Sequence, residues 1–157
     1  MKKNVKTISY AVFGVAELDK PLKQLYKMAQ ASASSAYAPY SKFPVGAAVL
    51  LNDKTIVTGS NQENAAYPSG LCAERVALFY ATAQYPNQLV DVVLVYVPGS
   101  KKPASPCGSC LQAMAEIEDR YKQPIRVFMT NDEWVIAVES VNALLPFRFG
   151  KEDLFDN

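Results

Sequence analysis

The sequence predicts a three-layer α/β/α sandwich on a mixed sheet of about five strands, and three observations carry that prediction. Leu89 to Val97 is β-branched and almost wholly apolar, as a strand covered on both faces must be. Phe43 to Leu51 and Thr55 to Gly59 are apolar runs separated only by Asn52-Asp53-Lys54, the pattern of a hairpin. Segments of helical apolar spacing alternate with strand-like runs through the rest of the chain, which is how helices come to cover both faces of a sheet.

In chain order, Lys2, Lys3 and Lys6 precede the short apolar stretch Ile8–Ala16, which faintly imitates an export signal. That stretch is interrupted by Ser9, Tyr10 and Gly14 and reads better as an N-terminal strand or strap, so residues 1–18 form an extension. Asp19 can cap a helix with Pro21 in its first turn, and Leu22, Leu25, Tyr26, Ala29 and Ala33 follow at helical spacing. After the hairpin, Cys72 to Gln84 carries Val76, Ala77, Phe79, Tyr80 and Ala83 on a broad apolar face. Pro106 breaks the chain before a helix from about Gly108 to Tyr121, with Ala113, Met114 and Ile117 inward. Ile125–Thr130 and Trp134–Glu139 supply the last two strands. No repeat or linker divides the sequence, so residues 1–157 are treated as one unit.

Composition narrows the function. Half of the 157 residues are apolar, and 16 Lys and Arg face 15 Asp and Glu for a net charge of +1. Such a balance lacks the basic excess of a nucleic-acid binder, and no run reaches the ~18–20 apolar residues of a membrane span. A small, weakly charged partner is expected instead. The chain has no histidine, which excludes catalytic triads, Cys-His dyads and imidazole metal ligands. Any acid or base must be Glu, Asp, Lys, Tyr or Cys. The three cysteines, with Cys107 and Cys110 close together, suit reduced thiols in the cytoplasm better than a disulfide framework.

Cys72 and Cys107 each open a predicted helix, and Cys110 lies in the first turn of the second. The unpaired N–H groups of a helix start favour thiolate, the form that binds metal or attacks. If both helices aim at one point, the three sulfurs hold zinc and leave a fourth position for water, the arrangement of a catalytic rather than a structural site. The competing readings are buried structural cysteines, or a Cys107–Cys110 redox pair with Cys72 incidental. Glu74 lies two residues beyond Cys72 and diverges from it on a helix, so it would not coordinate but would reach the activated water as general base and acid. Three thiolates on a divalent cation leave a charge of −1, and Arg75 is placed to offset it by donating N–H groups to sulfur.

Cys72-Ala73-Glu74-Arg75 and Pro106-Cys107-Gly108-Ser109-Cys110 are accompanied by Asn61-Gln62-Glu63-Asn64-Ala65-Ala66-Tyr67-Pro68, Tyr37–Phe43 and the tail Leu144–Gly150. Together they resemble the small cytidine deaminases over about Leu22 to Leu154. The resemblance implies zinc-dependent hydrolytic deamination of cytidine and deoxycytidine: activated water attacks C4 of the base while Glu74 delivers a proton to N3 and then assists ammonia in leaving. It further implies that Phe43 stacks on the pyrimidine, that Asn61 and Glu63 bind ribose hydroxyls, and that the Ala73 backbone holds the base carbonyl. A homotetramer is implied too, with Tyr67 and Phe149 in segments that reach between subunits. Leu111 departs from the family pattern, which commonly has Arg after the second Cys of the pair. Two rivals stand beside this reading: a noncatalytic zinc-stabilised binding module, and a deaminase of another aminopyrimidine such as a nucleoside antibiotic or a base in RNA.

Overall fold

The structure, a computed structural model, describes residues 2–154. Six strands form one mixed sheet: β1 (Ala11–Gly14), β2 (Gly46–Leu51), β3 (Ile56–Ser60), β4 (Val90–Tyr96), β5 (Arg126–Thr130) and β6 (Trp134–Val138). They lie in the order β1-β6-β5-β4-β2-β3, antiparallel everywhere except between β4 and β5. The sixth strand comes from the N-terminal extension: Ala11–Gly14 pairs with Ala137–Trp134 along the sheet edge.

Three helices cover the sheet: α1 (Lys20–Ala33), α2 (Ala73–Gln84) and α3 (Gly108–Tyr121). Asp19 caps α1, its carboxylate accepting from the Leu22 amide at 2.9 Å, with Pro21 in the first turn as expected. Strand residues alternate between two cores, because successive side chains of a strand point to opposite faces. On β2, Ala48 and Leu50 pack with α1 through Leu25, Tyr26 and Ala29. Ala47, Val49 and Leu51 pack with α2 and α3 through Ala77, Leu78, Met114 and Ile117. β4 is central and supplies both cores, Val92 and Leu94 to one and Val93 and Val95 to the other.

One expectation about α2 is corrected. Val76, Phe79, Tyr80 and Ala83 do not face the sheet; Phe79 and Tyr80 are 47% and 56% exposed. The buried stripe is Ala73, Ala77, Leu78 and Ala81, whose small side chains let the helix lie close on the sheet. Among the described residues no helix is long and apolar enough to cross a membrane.

Candidate metal centre and active site

α2 and α3 begin close together, and each uses a cysteine as its N-cap residue. Cys72 and Cys107 both have extended backbones, and neither side chain caps its own helix. Their sulfurs point instead at each other, 3.7 Å apart, and Cys110 in the first turn of α3 lies 3.6 Å from Cys107. All three sulfurs fall within 4.8 Å of one another. A tetrahedral zinc with Zn–S near 2.3 Å requires sulfur–sulfur edges of about 3.8 Å, so the trio matches the ion. Among the described residues no fourth His, Cys, Asp or Glu joins the cluster.

The electrostatics follow from the placement. Hydrogen bonding from Cys110, together with Arg75 and Cys107, pulls the Cys72 thiol down to about 5 despite partial burial. Arg75 approaches Cys72 Sγ with Nη2 at 4.0 Å, while its buried Nε has no partner among the described residues. Glu74 is 4% exposed in the first turn of α2. Burial pushes its carboxyl above the usual range, and the negative Cys72 sulfur adds to the shift. A carboxyl held against ionisation beside the cysteine sulfurs is placed both to accept and to donate a proton.

A cavity of about 540 Å³ opens beside Cys72 and Arg75. Of the residues singled out in the sequence, Asn61, Glu63, Tyr67, Cys72 and Arg75 line it. Phe43, Ala73, Glu74, Cys107, Cys110 and Phe149 are not among its walls. Ala73 is fully buried, and Phe43 is half-exposed on the neighbouring loop. Phe149 is exposed but its carbonyl is anchored by the Gln112 side chain at 2.7 Å. Tyr40, Ser41, Gln62 and Leu71 also line the cavity and were not anticipated. Isolated bridges from Gln62 to Tyr37 and to Leu71 bring these three segments together, and local sequence carries no signal for such pairing. At the cavity mouth the Tyr40 and Tyr67 rings meet edge to face at 5.9 Å.

Glu63 Oε2 accepts from the Tyr40 and Ser41 amides at 2.9 and 3.2 Å. Hydrogen bonding to Ser41 and these amides holds its carboxyl below the usual range, so it stays ionised. Leu111, where arginine was the familiar residue, is buried in the α2/α3 core and brings no charge to the sulfurs.

The sequence matches the family described as "Cytidine and deoxycytidylate deaminase zinc-binding region" over residues 19–123, a span that includes all three cysteines. A cytidine deaminase of Halalkalibacterium halodurans is 39% identical over 134 residues, 85% of this chain and 98% of its own length. One from Sporosarcina psychrophila is 41% identical over 133 residues, 85% of this chain and 94% of its own. The crystal structure of cytidine deaminase from Burkholderia pseudomallei superposes with a TM-score of 0.70 at 39% identity, covering 81% of this chain and 98% of that one. Zinc is therefore the ion that the sulfur trio is built to hold. Matched across its metal centre and along most of its length, the chain belongs to the cytidine and deoxycytidylate deaminase family.

Proposed function

We propose that this enzyme hydrolyses cytidine and deoxycytidine to uridine and deoxyuridine with release of ammonia. The observation that carries the proposal is the juxtaposition of a buried carboxyl, Glu74, with three sulfurs of zinc-site spacing, one of which, that of Cys72, lines a nucleoside-sized cavity. When bound by Cys72, Cys107 and Cys110, zinc supplies the Lewis acidity that makes water nucleophilic near neutral pH. Glu74 would take one proton from the attacking water and place it on N3 as the C4–O bond forms, then take the remaining proton of the new C4 hydroxyl and deliver it to the amino group as the C4–N bond breaks and ammonia leaves. Water and cytidine thus become uridine and ammonia.

The remaining roles follow the cavity. The Ala73 backbone N–H, at the start of α2, is offered to the base carbonyl, where a helix N-terminus favours partial negative charge. The flat ring of Phe43 stacks on the pyrimidine. The ionised Glu63 accepts hydrogen bonds from the sugar hydroxyls and Asn61 donates an N–H to one of them, which selects a nucleoside over a free base. Arg75 offsets the charge of the sulfur cluster.

In this reading residues 1–157 act as one catalytic domain with 1–18 as an N-terminal extension, in the cytoplasm, in the salvage of pyrimidine nucleosides. The active form is a homotetramer. The uncovered α2 stripe with Phe79 and Tyr80, and the exposed rings of Tyr67, Phe147 and Phe149, support that assembly, since apolar surface of this kind marks contact between chains. The near-zero net charge supports a nucleoside over nucleic acid, and no membrane partner is invoked.

The test is zinc content measured together with ammonia release from cytidine, deoxycytidine, cytosine and CMP, with light scattering for the assembly. One zinc per chain and turnover of both nucleosides are expected. Turnover of CMP alone would overturn the substrate assignment.

A further inference from the structure

Asn61 and Glu63 are committed to contacts that a purely sugar-reading role does not use. Asn61 Oδ1 accepts from the Val45 amide at 2.8 Å, and its Nδ2 donates to the Phe43 carbonyl at 3.0 Å. One side chain thereby brackets Pro44 from both sides. Two residues on, where an extended chain directs its side chain the same way, Glu63 holds the Tyr40 and Ser41 amides. Gln62, between them, turns to Ser60, donating to its Oγ at 3.1 Å.

The segment bearing these side chains is itself tied down. Gln62 exchanges backbone hydrogen bonds with Leu71 at 2.8 and 2.9 Å, and Asn61 and Glu63 bond the Tyr37 backbone at 2.9 and 2.8 Å. The loop it grips is the opposite case. From Tyr40 to Val45 there is no helix or strand, Lys42 takes a positive φ of 56°, and Phe43 projects with a half-exposed ring. A loop whose own bonds are few takes its shape from the fixed partners beside it.

We propose that Asn61 and Glu63 are positioning residues for Phe43: they clamp the Tyr40–Val45 loop, and so act on the base end of the substrate as well as on the sugar. This rests on the cytidine reading above. With its oxygen and one N–H spent on the loop, the Asn61 amide keeps one N–H for a ligand. Removing the side chain leaves two backbone groups without partners and releases the segment carrying the stacking ring.

The test compares cytidine with 2′,3′-dideoxycytidine, which has no 2′ or 3′ hydroxyl to read. Asn61→Ala lowers kcat/KM by roughly a hundredfold on cytidine, where sugar contact and loop clamp are both lost, and still by roughly tenfold on the dideoxy analogue, where only the clamp is lost. Placed in a Phe43→Ala background and read on the dideoxy analogue, the same change costs less than about threefold, because the residue it positions is gone. A loss confined to cytidine reduces Asn61 to a sugar contact and overturns the proposal, as does full additivity with Phe43→Ala.

A second readout needs no turnover. Trp134 is the only tryptophan, so Phe43→Trp with Trp134→Phe places a single indole on the loop. Its fluorescence anisotropy falls when Asn61→Ala is added, and unchanged anisotropy overturns the clamp. Should Asn61→Ala not fold, Asn61→Asp serves with the same expectations, since it keeps the acceptor for Val45 and sets an oxygen against the Phe43 carbonyl. An unmodified protein inactive on cytidine would sink the substrate reading while leaving the anisotropy result to stand.

Discussion

Gly59 on β3 and Ala77 on α2 meet backbone to backbone: a Cβ at Gly59 would lie 2.6 Å from the Ala77 amide nitrogen and 2.7 Å from the Ala73 carbonyl oxygen. On the other side of the sheet, Ser32 of α1 donates to the Gly59 carbonyl at 3.0 Å. Gly59 is thus gripped from both layers, and its missing side chain sets how closely the start of α2, with Cys72 and Glu74, approaches the sheet. Gly59→Ala lowers stability by about 1–3 kcal/mol, as overpacking does, and speeds zinc release to a chelator. Val135→Ala opens a cavity on the α1 side and serves as the control, since it lowers the melting temperature yet leaves zinc release unchanged. Equal release from both variants would refute the link between Gly59 and the metal centre.

Glu74→Gln separates proton transfer from metal binding. The glutamine is isosteric and neutral, which suits a site that already resists ionisation of the native carboxyl. Zinc content stays at the wild-type level, while kcat falls by about 10²- to 10⁴-fold, the usual worth of a positioned acid–base group. Wild-type ammonia release from this variant would remove Glu74 from the mechanism.

The tail is secured through a buried carboxylate. Glu118, near the end of α3, accepts from the Ile125 amide at 2.7 Å, Ser140 Oγ at 3.0 Å and the Val141 amide at 3.1 Å. Arg148 approaches it at 3.5 Å and pairs with Asp119 at 2.5 Å. Glu118→Ala costs about 3 kcal/mol by urea unfolding, because it strands several buried donors. Arg148→Ala, at the rim of the network, costs about 1 kcal/mol. The reverse order would show that the ion pair, rather than the backbone contacts, holds this region.

A tyrosine on α1 gives a pH dependence. Burial, with the neighbouring Tyr96 and Asp132, pushes the Tyr26 hydroxyl up to about 12, and it donates to the Asn131 carbonyl at 3.2 Å. The folded state therefore holds this proton more tightly than the unfolded chain, whose tyrosine titrates near 10. Its contribution is fully present below pH ~10 and is lost as pH rises toward about 12. Tyr26→Phe is less stable than wild type at pH 7, and the gap in melting temperature closes across that alkaline window. A gap independent of pH would rule the coupling out.

The helix starts were legible because their signals are local: Asp19 at the cap of α1 with Pro21 in its first turn, and Pro106 before α3. The β-branched run of β4 likewise announced a central strand. The face of α2 was not legible. Val76, Phe79, Tyr80 and Ala83 form an i, i+3, i+4, i+7 stripe, and Ala73, Ala77, Leu78 and Ala81 form a second one beside it. Which stripe meets the sheet depends on Gly59, and a glycine's closeness to a helix is a tertiary fact. The β1–β6 ladder joins residues 120 to 126 positions apart, beyond any local pattern. At the site, residue types and spacing gave away the sulfur trio, whereas the hydrogen bonds from Asn61 and Glu63 to the Tyr40–Val45 loop depend on a loop shape that no local pattern announces.

Two helices separated in the chain by a whole strand share their first turns in one group of three sulfurs. An ion gripped there fastens these turns to each other, so occupancy contributes to folding free energy in proportion to the logarithm of free metal over its dissociation constant. A cell starved of zinc would lose this catalyst twice over, first as idle copies and then as copies cleared sooner by proteolysis.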